Sequence, residues 1–369
     1  MNKIKLLFLT SGDVEKNATI KRASGLSKHL VEIGNYDVTI MALDCKGNKE
    51  RFEHENLTNV NLIYFPLMNS LKELIFKISF IKKNQFDVIY VTSPCFRNSV
   101  INFRNSKDHS IYLVEYSELA SSIKTHKFLR RNFLEFLEYK STSWYDGFVA
   151  ASKYLYDYYK PNILEKNMIY LPYAFPTYYS EKIKNQKIIN ADSHFNIFYM
   201  GTIIKNYGFN DLIELAKKII KHKLNMKISV LGGGIDLNEA KNYIQKNQLS
   251  NVIKMYGYVP EKEVFKHCFN ADVFICPLND TVQDWARCPS KIYYYIPFEK
   301  PIITSKIGEP FQIFGESGLY YKIGDVNALL DIIKEVKSIE KFSFSPSSHS
   351  WLDRAHKFDK WLKLNFFKL

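Results

Sequence analysis

Short apolar runs alternate with longer stretches of helical periodicity along most of this chain. Lys3–Thr10, Tyr36–Leu43, Asn61–Phe65, Asp87–Thr92, Ser110–Glu115 and Gly147–Ala151 are apolar and bounded by polar or turn-forming residues, which predicts buried strands. Ala18–Gly34, Asn69–Asn84, Lys127–Ser143 and Lys153–Tyr159 repeat apolar positions at three- and four-residue spacing, which predicts helices. Strands separated by helices in this way build a parallel, doubly wound α/β sheet, because parallel neighbours need a crossover. Met168–Leu171 reads as the closing strand, followed by Pro172 and Pro176.

Thr177–Ser193 is polar, rich in Lys and Asn, and reads as a linker. The pattern then restarts. Phe195–Met200, Met226–Leu231, Val252–Tyr256, Asp272–Pro277 and Pro301–Ser305 read as strands. Asn210–His222, Leu237–Asn247, Glu261–His267 and Ser290–Pro297 read as the helices between them. Ser343–Ser350 reads as a loop and Trp351–Phe366 as a last helix. The expected organisation is a first domain over 1–176, a linker over 177–193, a second domain over 194–350, and a terminal helix within 351–369.

A length of 369 residues fits two domains. With 46% hydrophobic and 24% charged residues, global disorder is excluded. The net charge of +13 points to an anionic partner: a phosphorylated substrate, an anionic lipid surface or a nucleic acid. Nucleic acid is the weakest of these, because the chain has no zinc-ligand spacing, RNA-recognition signature or dense Lys/Arg block. Cys45, Cys95, Cys268, Cys276 and Cys288 form no CxxC and are odd in number, so they read as small hydrophobes in a reducing, cytoplasmic setting. The opening MNKIKLLFLTSGD has too short an apolar run for a signal peptide and reads as the first strand. No apolar run approaches the length of a membrane span.

Candidate chemistry is densest in Ala271–Ser305. There a buried strand ends at Pro277, a polar loop follows, and Pro289-Ser290-Lys291 opens a helix. A helix start and a lysine at the carboxyl edge of a parallel sheet favour a phosphate. An ordinary cap with a solvated lysine is the plain alternative. Arg287 and Lys205 are further candidate cations. Gly201 and Thr202 follow a strand, where backbone can approach phosphate closely. Ser11 and Gly12 close the first strand-to-helix turn. The triple glycine Gly232–Gly234 lacks phosphate-loop spacing and reads as a tight turn.

The order of these pieces resembles the GT-B glycosyltransferases, and within them the large retaining group called family 4. FYMGTIIKNYGFNDLIELAKKI, ISVLGGG, VIKMYGYVPEKEVFKHCFNADVFICPL, PSKIYYYIPFEKPII and GEPFQIFGESGLYYKIGDVNALLDII resemble successive segments of that family's second domain. FLEFLEYKSTSWYDGFVAASKYLYDYY and MIYLPYAF resemble the end of its first. The resemblance implies two facing Rossmann-like domains with an interdomain cleft and a C-terminal helix returning to the first domain. It implies transfer of a sugar from a nucleotide-diphosphate donor, with retention, to a glycan or lipid-linked acceptor. No metal or other cofactor is implied.

By resemblance, the donor contacts are Gly201, Thr202, Lys205, Gly257, Tyr258, Val259, Arg287, Ser290, Lys291, Tyr294, Gly308 and Glu309. Glu118 is the candidate catalytic carboxylate, with Ser11, Gly12, Glu115 and Ser117 at the acceptor side. The chain departs from the family at several of these positions. Thr202 and Tyr207 stand where the family has Arg and Lys, Ala286 and Tyr294 where it has paired glutamates, and Ser117 and Glu118 where it has His and Asp. These departures keep a non-catalytic partner or glycan-binding protein of the same fold as the rival reading. A nucleotide-sugar epimerase and a nucleic-acid-modifying glucosyltransferase are further rivals.

Two segments, Leu71–Lys83 and Lys124–Lys140, mix aromatic and aliphatic residues with Lys and Arg. Each reads either as a helix lying on an anionic membrane, at the inner face, or as a half-buried helix with a basic outer side. In the second segment Glu135 and Glu138 interrupt the cationic side, which favours packing. The tail WLKLNFFKL reads as docking on the first domain or touching lipid.

Overall fold

The computed structural model describes residues 3–14, 19–123, 127–185, 194–204, 208–337 and 349–367, without the side chains of 261 and 262. It comprises two compact units. One is Met1–Pro176 with Ala286–Cys288 and His349–Leu369; the other is Thr177–Trp285 with Pro289–Ser348.

The first unit holds a seven-stranded sheet. Its strands are β1 (Ile4–Leu9), β2 (Tyr36–Leu43), β3 (Asn61–Phe65), β4 (Val88–Val91), β5 (Ile111–Tyr116), β6 (Gly147–Ala150) and β7 (Met168–Tyr170). The order is β3-β2-β1-β4-β5-β6-β7, and all pairs are parallel. Every residue of β4 is buried, as expected for a strand covered on both faces. The order reverses between β1 and β4, and the carboxyl ends at such a switch point are where open sheets hold ligands.

The terminal helix Trp351–Leu362 packs in this unit on the helix Thr19–Ile33. Trp351 lies so close to Gly25 that any side chain there would meet its ring. Tyr36 donates to Asp359 at 2.7 Å, and the Trp361 indole donates to the Lys166 carbonyl at 3.0 Å. The tail is therefore docked on the first unit at Trp361, while Leu364 is exposed.

The second unit holds a six-stranded sheet of β8 (Phe195–Met200), β9 (Met226–Leu231), β10 (Ile253–Gly257), β11 (Val273–Cys276), β12 (Ile302–Thr304) and β13 (Leu319–Tyr320). Its order is β10-β9-β8-β11-β12-β13, again parallel. Ile197, Ile228, Val230, Leu212, Ile219 and Leu329 form part of one continuous core. The switch point lies between β8 and β11.

The structure corrects the sequence reading in three places. Lys46–Glu55 is a helix, too polar to show an apolar stripe, and it buries Asn48, Arg51, Phe52 and Glu55. Half of the expected linker is the helix Tyr178–Asn185. The helix Phe128–Ser141 turns its aromatic side outward, with Phe128, Leu129, Phe133, Phe136 and Tyr139 exposed. Most of the loop expected at Ser343–Ser350 lies outside the described residues.

Candidate functional site

In the second unit the loops after β8, β9 and β10 interlock through glycine. Gly201 N–H donates to the Leu231 carbonyl at 2.9 Å, and Gly232 N–H to the Gly257 carbonyl at 2.8 Å. Gly232 has φ +130°, and a Cβ there would collide with the Gly201 carbonyl oxygen. The triple glycine is thus a tight turn that shapes the end of β8.

Above that strand end sits Lys291. Its ammonium lies 4.3 Å from the centre of the Tyr199 ring. A Cβ on Gly201 would come within 2.5 Å of Lys291 Nζ and 2.9 Å of the Tyr199 hydroxyl. The missing side chain at Gly201 is what leaves room for the cation, and the aromatic face beneath holds it in place. Lys291 belongs to the helix Ser290–Tyr295. That helix is only six residues long and Pro289 gives it no capping side chain, so its dipole is small and the ammonium is the main positive charge.

The three tyrosines of this helix all face inward. Met200 N–H donates to the Tyr295 hydroxyl at 2.8 Å, tying the helix to β8. Burial holds the Tyr295 phenol well above its ordinary pKa, so it stays neutral. Tyr293 donates to Glu309 at 2.7 Å. The Tyr294 ring packs edge-on against Tyr179, with centroids 5.7 Å apart. Tyr294 and Glu309, expected to meet a ribose and a donor sugar, are therefore buried groups, 3% and 1% exposed. Aromatic neighbours around the helix draw the phenol in, and the Tyr293 hydroxyl draws in the carboxylate.

Gly308 opens the helix Gly308–Phe314 against the backbone of Asp284 and Trp285. Asp284 is buried and accepts from Asn279 N–H at 2.6 Å, which shapes the loop after β11. Gly257 ends β10; Tyr258 is exposed and Val259 half-buried. Ser290 and Thr202 stand at the same edge as Lys291, and Tyr199 donates to the Thr202 carbonyl at 3.4 Å. Lys205 and Tyr207 lie outside the described residues. Arg287, expected with the donor group, falls in the first unit, where Ser152 donates to the Ala286 carbonyl at 2.6 Å. A separate groove of 650 Å³ follows the other ends of these strands, past Asn196, Lys227 and Lys254, and shares only Val259 with the predicted set.

In the first unit the turn after β1 is built on buried charge. Lys77 is fully buried and donates to the Thr10 carbonyl at 2.8 Å, Ser11 Oγ at 3.1 Å, Glu73 at 2.6 Å and Asn98 at 2.6 Å. Asn48 donates to the Gly12 carbonyl at 3.1 Å and accepts from Val14 N–H at 2.9 Å. Ser11 is consequently an inward anchor of the turn rather than an open ligand. Sequence reading missed Lys77, Asn48 and Asn98. Lys77 was legible only as a lysine among apolar neighbours, at a spacing of four from Glu73.

Glu115, expected at the acceptor side, is fully buried. Its carboxylate pairs with Arg22 at 2.7 Å and accepts from Tyr90 at 3.2 Å. Burial pushes the Glu115 carboxyl up, against the pull of Arg22. Burial disfavours the Arg22 charge, but Glu115 together with the nearby Tyr90, Tyr173 and Cys288 more than restores it. Arg22 also donates to the Leu171 carbonyl at 2.6 Å, and Arg354 of the terminal helix donates to Pro172 and Tyr173 carbonyls at 3.3 and 3.4 Å. Two buried arginines thus hold the 171–173 loop. Beyond β5, Ser117 is half-buried and Glu118 exposed; burial raises the Tyr173 phenol well above its ordinary range, with smaller contributions from Glu115 and Glu118. Among the predicted carboxylates, Glu118 alone faces solvent.

Residues 180–357 match the family model described as glycosyl transferases group 1. No curated protein matches the sequence. HepE of Anabaena, solved in complex with UDP and glucose, is similar in structure with TM-score 0.73 at 12% identity, covering 98% of this chain and 99% of that one. Sucrose-phosphate synthase of Thermosynechococcus elongatus superposes with TM-score 0.71 at 13% identity and full coverage of both chains, 100% each. A Rickettsia africae glycosyltransferase superposes with TM-score 0.65 at 14% identity, covering 99% and 95%. These likenesses establish the GT-B fold.

Proposed function

Because this chain has the GT-B fold and its second half matches the group 1 glycosyltransferases, we propose that it transfers a sugar from a nucleoside-diphosphate donor. The acceptor is a glycan or a lipid-linked glycan, and the anomeric configuration is retained. The observation that carries this reading is the Lys291 ammonium held over Gly201 at the carboxyl end of β8. A fixed cation at that edge stabilises the diphosphate more as its bond to the sugar breaks, which is the condition for catalysis. In this reading the charge comes from Lys291 and nearby backbone N–H groups rather than from a metal ion. Glu118, exposed beyond β5, receives the acceptor proton or steadies positive charge on the sugar. The Anabaena relative's UDP supports uracil as the base to test first. The five free cysteines accord with a cytoplasmic setting.

Calorimetry with UDP, GDP and ADP tests the donor site. One nucleotide binds, and Lys291→Ala weakens it by about tenfold or more, the scale of a charge-assisted phosphate contact. If none of the three binds, the reading fails. The inward Tyr294, Glu309 and Glu115 favour one rival: a partner or glycan-binding protein that keeps the nucleotide site without turnover. Nucleotide binding with no transfer or hydrolysis across nucleotide sugars would select it.

A further inference from the structure

The helix Phe128–Ser141 presents its apolar side to solvent. Phe128 is 68% exposed, Leu129 82%, Phe133 59%, Phe136 54% and Tyr139 57%. At 100° per residue these five side chains fall within an arc of about 140°. The opposite side is the one that packs. Glu138 turns inward, where it accepts from the Ser121 hydroxyl at 2.5 Å and its N–H at 3.1 Å, and Ser141 is bonded to Tyr116 at 2.6 Å. The inward turn of Glu138 changes the surface charge of the helix. Lys127, Arg130, Arg131 and Lys140 are exposed, against the single exposed carboxylate of Glu135.

We propose that this helix is a docking surface for an anionic lipid bilayer, lying in the headgroup plane with its aromatic arc inserted. An aromatic and aliphatic face with cations at its margins is what such a plane accommodates: rings enter the acyl boundary and guanidinium groups meet lipid phosphates. A protein partner fits less well. The cores of protein interfaces are depleted in lysine, whereas Lys140 lies inside the arc, its ammonium 5.9 Å from the Phe136 ring centre. A second copy of the chain would bring another +13 of charge against the same cations. No described helix is long and apolar enough to span a membrane, so contact of this kind is interfacial.

Flotation of the full chain with vesicles decides the matter. The probes are phosphatidylcholine vesicles and phosphatidylcholine vesicles containing phosphatidylglycerol, without nucleotide or acceptor, so the result is independent of any transfer activity. The wild type floats with the anionic vesicles at low salt, about tenfold more than with the neutral ones, and high salt reduces this. Phe133→Asp with Phe136→Asp abolishes flotation; Arg130→Glu with Arg131→Glu removes the preference for anionic vesicles. Both double variants keep the wild-type circular dichroism and melting temperature, since all four positions are exposed. A wild type that stays unbound overturns the proposal, as does a Phe133/Phe136 variant that floats like the wild type. Equilibrium sedimentation showing a dimer that the Phe variant dissociates, without vesicle binding, assigns the face to a second copy instead.

Discussion

Lys77 occupies a place where a charge is costly unless every donor is used. Its ammonium meets a backbone carbonyl, a hydroxyl, an amide and a carboxylate, all inside the protein. Lys77→Met would leave Glu73 buried with the Ser11 hydroxyl and the partly exposed Arg97 as partners. We expect a loss of about 3–5 kcal/mol, read by urea denaturation, the usual scale for breaking a buried pair from one side. His349 gives a pH-dependent counterpart. Burial, then the nearby Arg354 and Lys357 charges, lower it to about 4. Its ring accepts from Arg354 at 3.2 Å, which requires the neutral form. The unfolded chain therefore binds more protons than the folded one between pH 6.5 and about 4, and stability falls as pH drops through that window. After screening at this partly exposed site, His349→Gln should remove about 1–2 kcal/mol of that fall, measured by denaturation at pH 7 and pH 4. Neither residue was legible as special from spacing. A lysine or histidine declares its role through the groups packed around it, and those come from distant parts of the chain.

At the level of elements, the glycine turns after β8 and β9 decide where Lys291 can sit. Gly232→Ala would drive a Cβ into the Gly201 carbonyl from a backbone angle that disfavours side chains. The expected cost is at least about 3 kcal/mol, seen as a lower melting temperature, together with loss of nucleotide binding. Most elements were legible. β2, β3, β8 and β9 match their sequence-predicted bounds, because each is a short, mainly apolar and β-branched or aromatic run bounded by polar or turn-forming residues. The helix Lys46–Glu55 was not legible, because it packs through Asn48 and Arg51 rather than through an apolar stripe. The segments around Ser290 and Gly308 were placed correctly as neighbours of a strand end. Which side their tyrosines and glutamate face was not readable, since three consecutive aromatics carry no periodicity.

For the whole molecule, a nucleotide that binds only the folded chain must raise its stability. At a hundredfold excess over the dissociation constant, UDP should add about 2.7 kcal/mol and raise the melting temperature by scanning fluorimetry. Lys291→Ala should suppress the shift at the same concentration. No shift with UDP, GDP or ADP would remove the donor reading. Alternation of apolar runs and helical stripes was sufficient to determine two parallel sheets, every strand but the short edge strand β13, and the edge at which the lysine lies. That information is local: a strand or a helix writes its own period into consecutive residues. Tertiary structure alone decided which polar groups turn inward, as Lys77, Glu115, Tyr294 and Glu309 do, and that the aromatic side of Phe128–Ser141 turns outward. A period reveals that a helix has an apolar side, but what lies across from that side is set by residues far away in the chain.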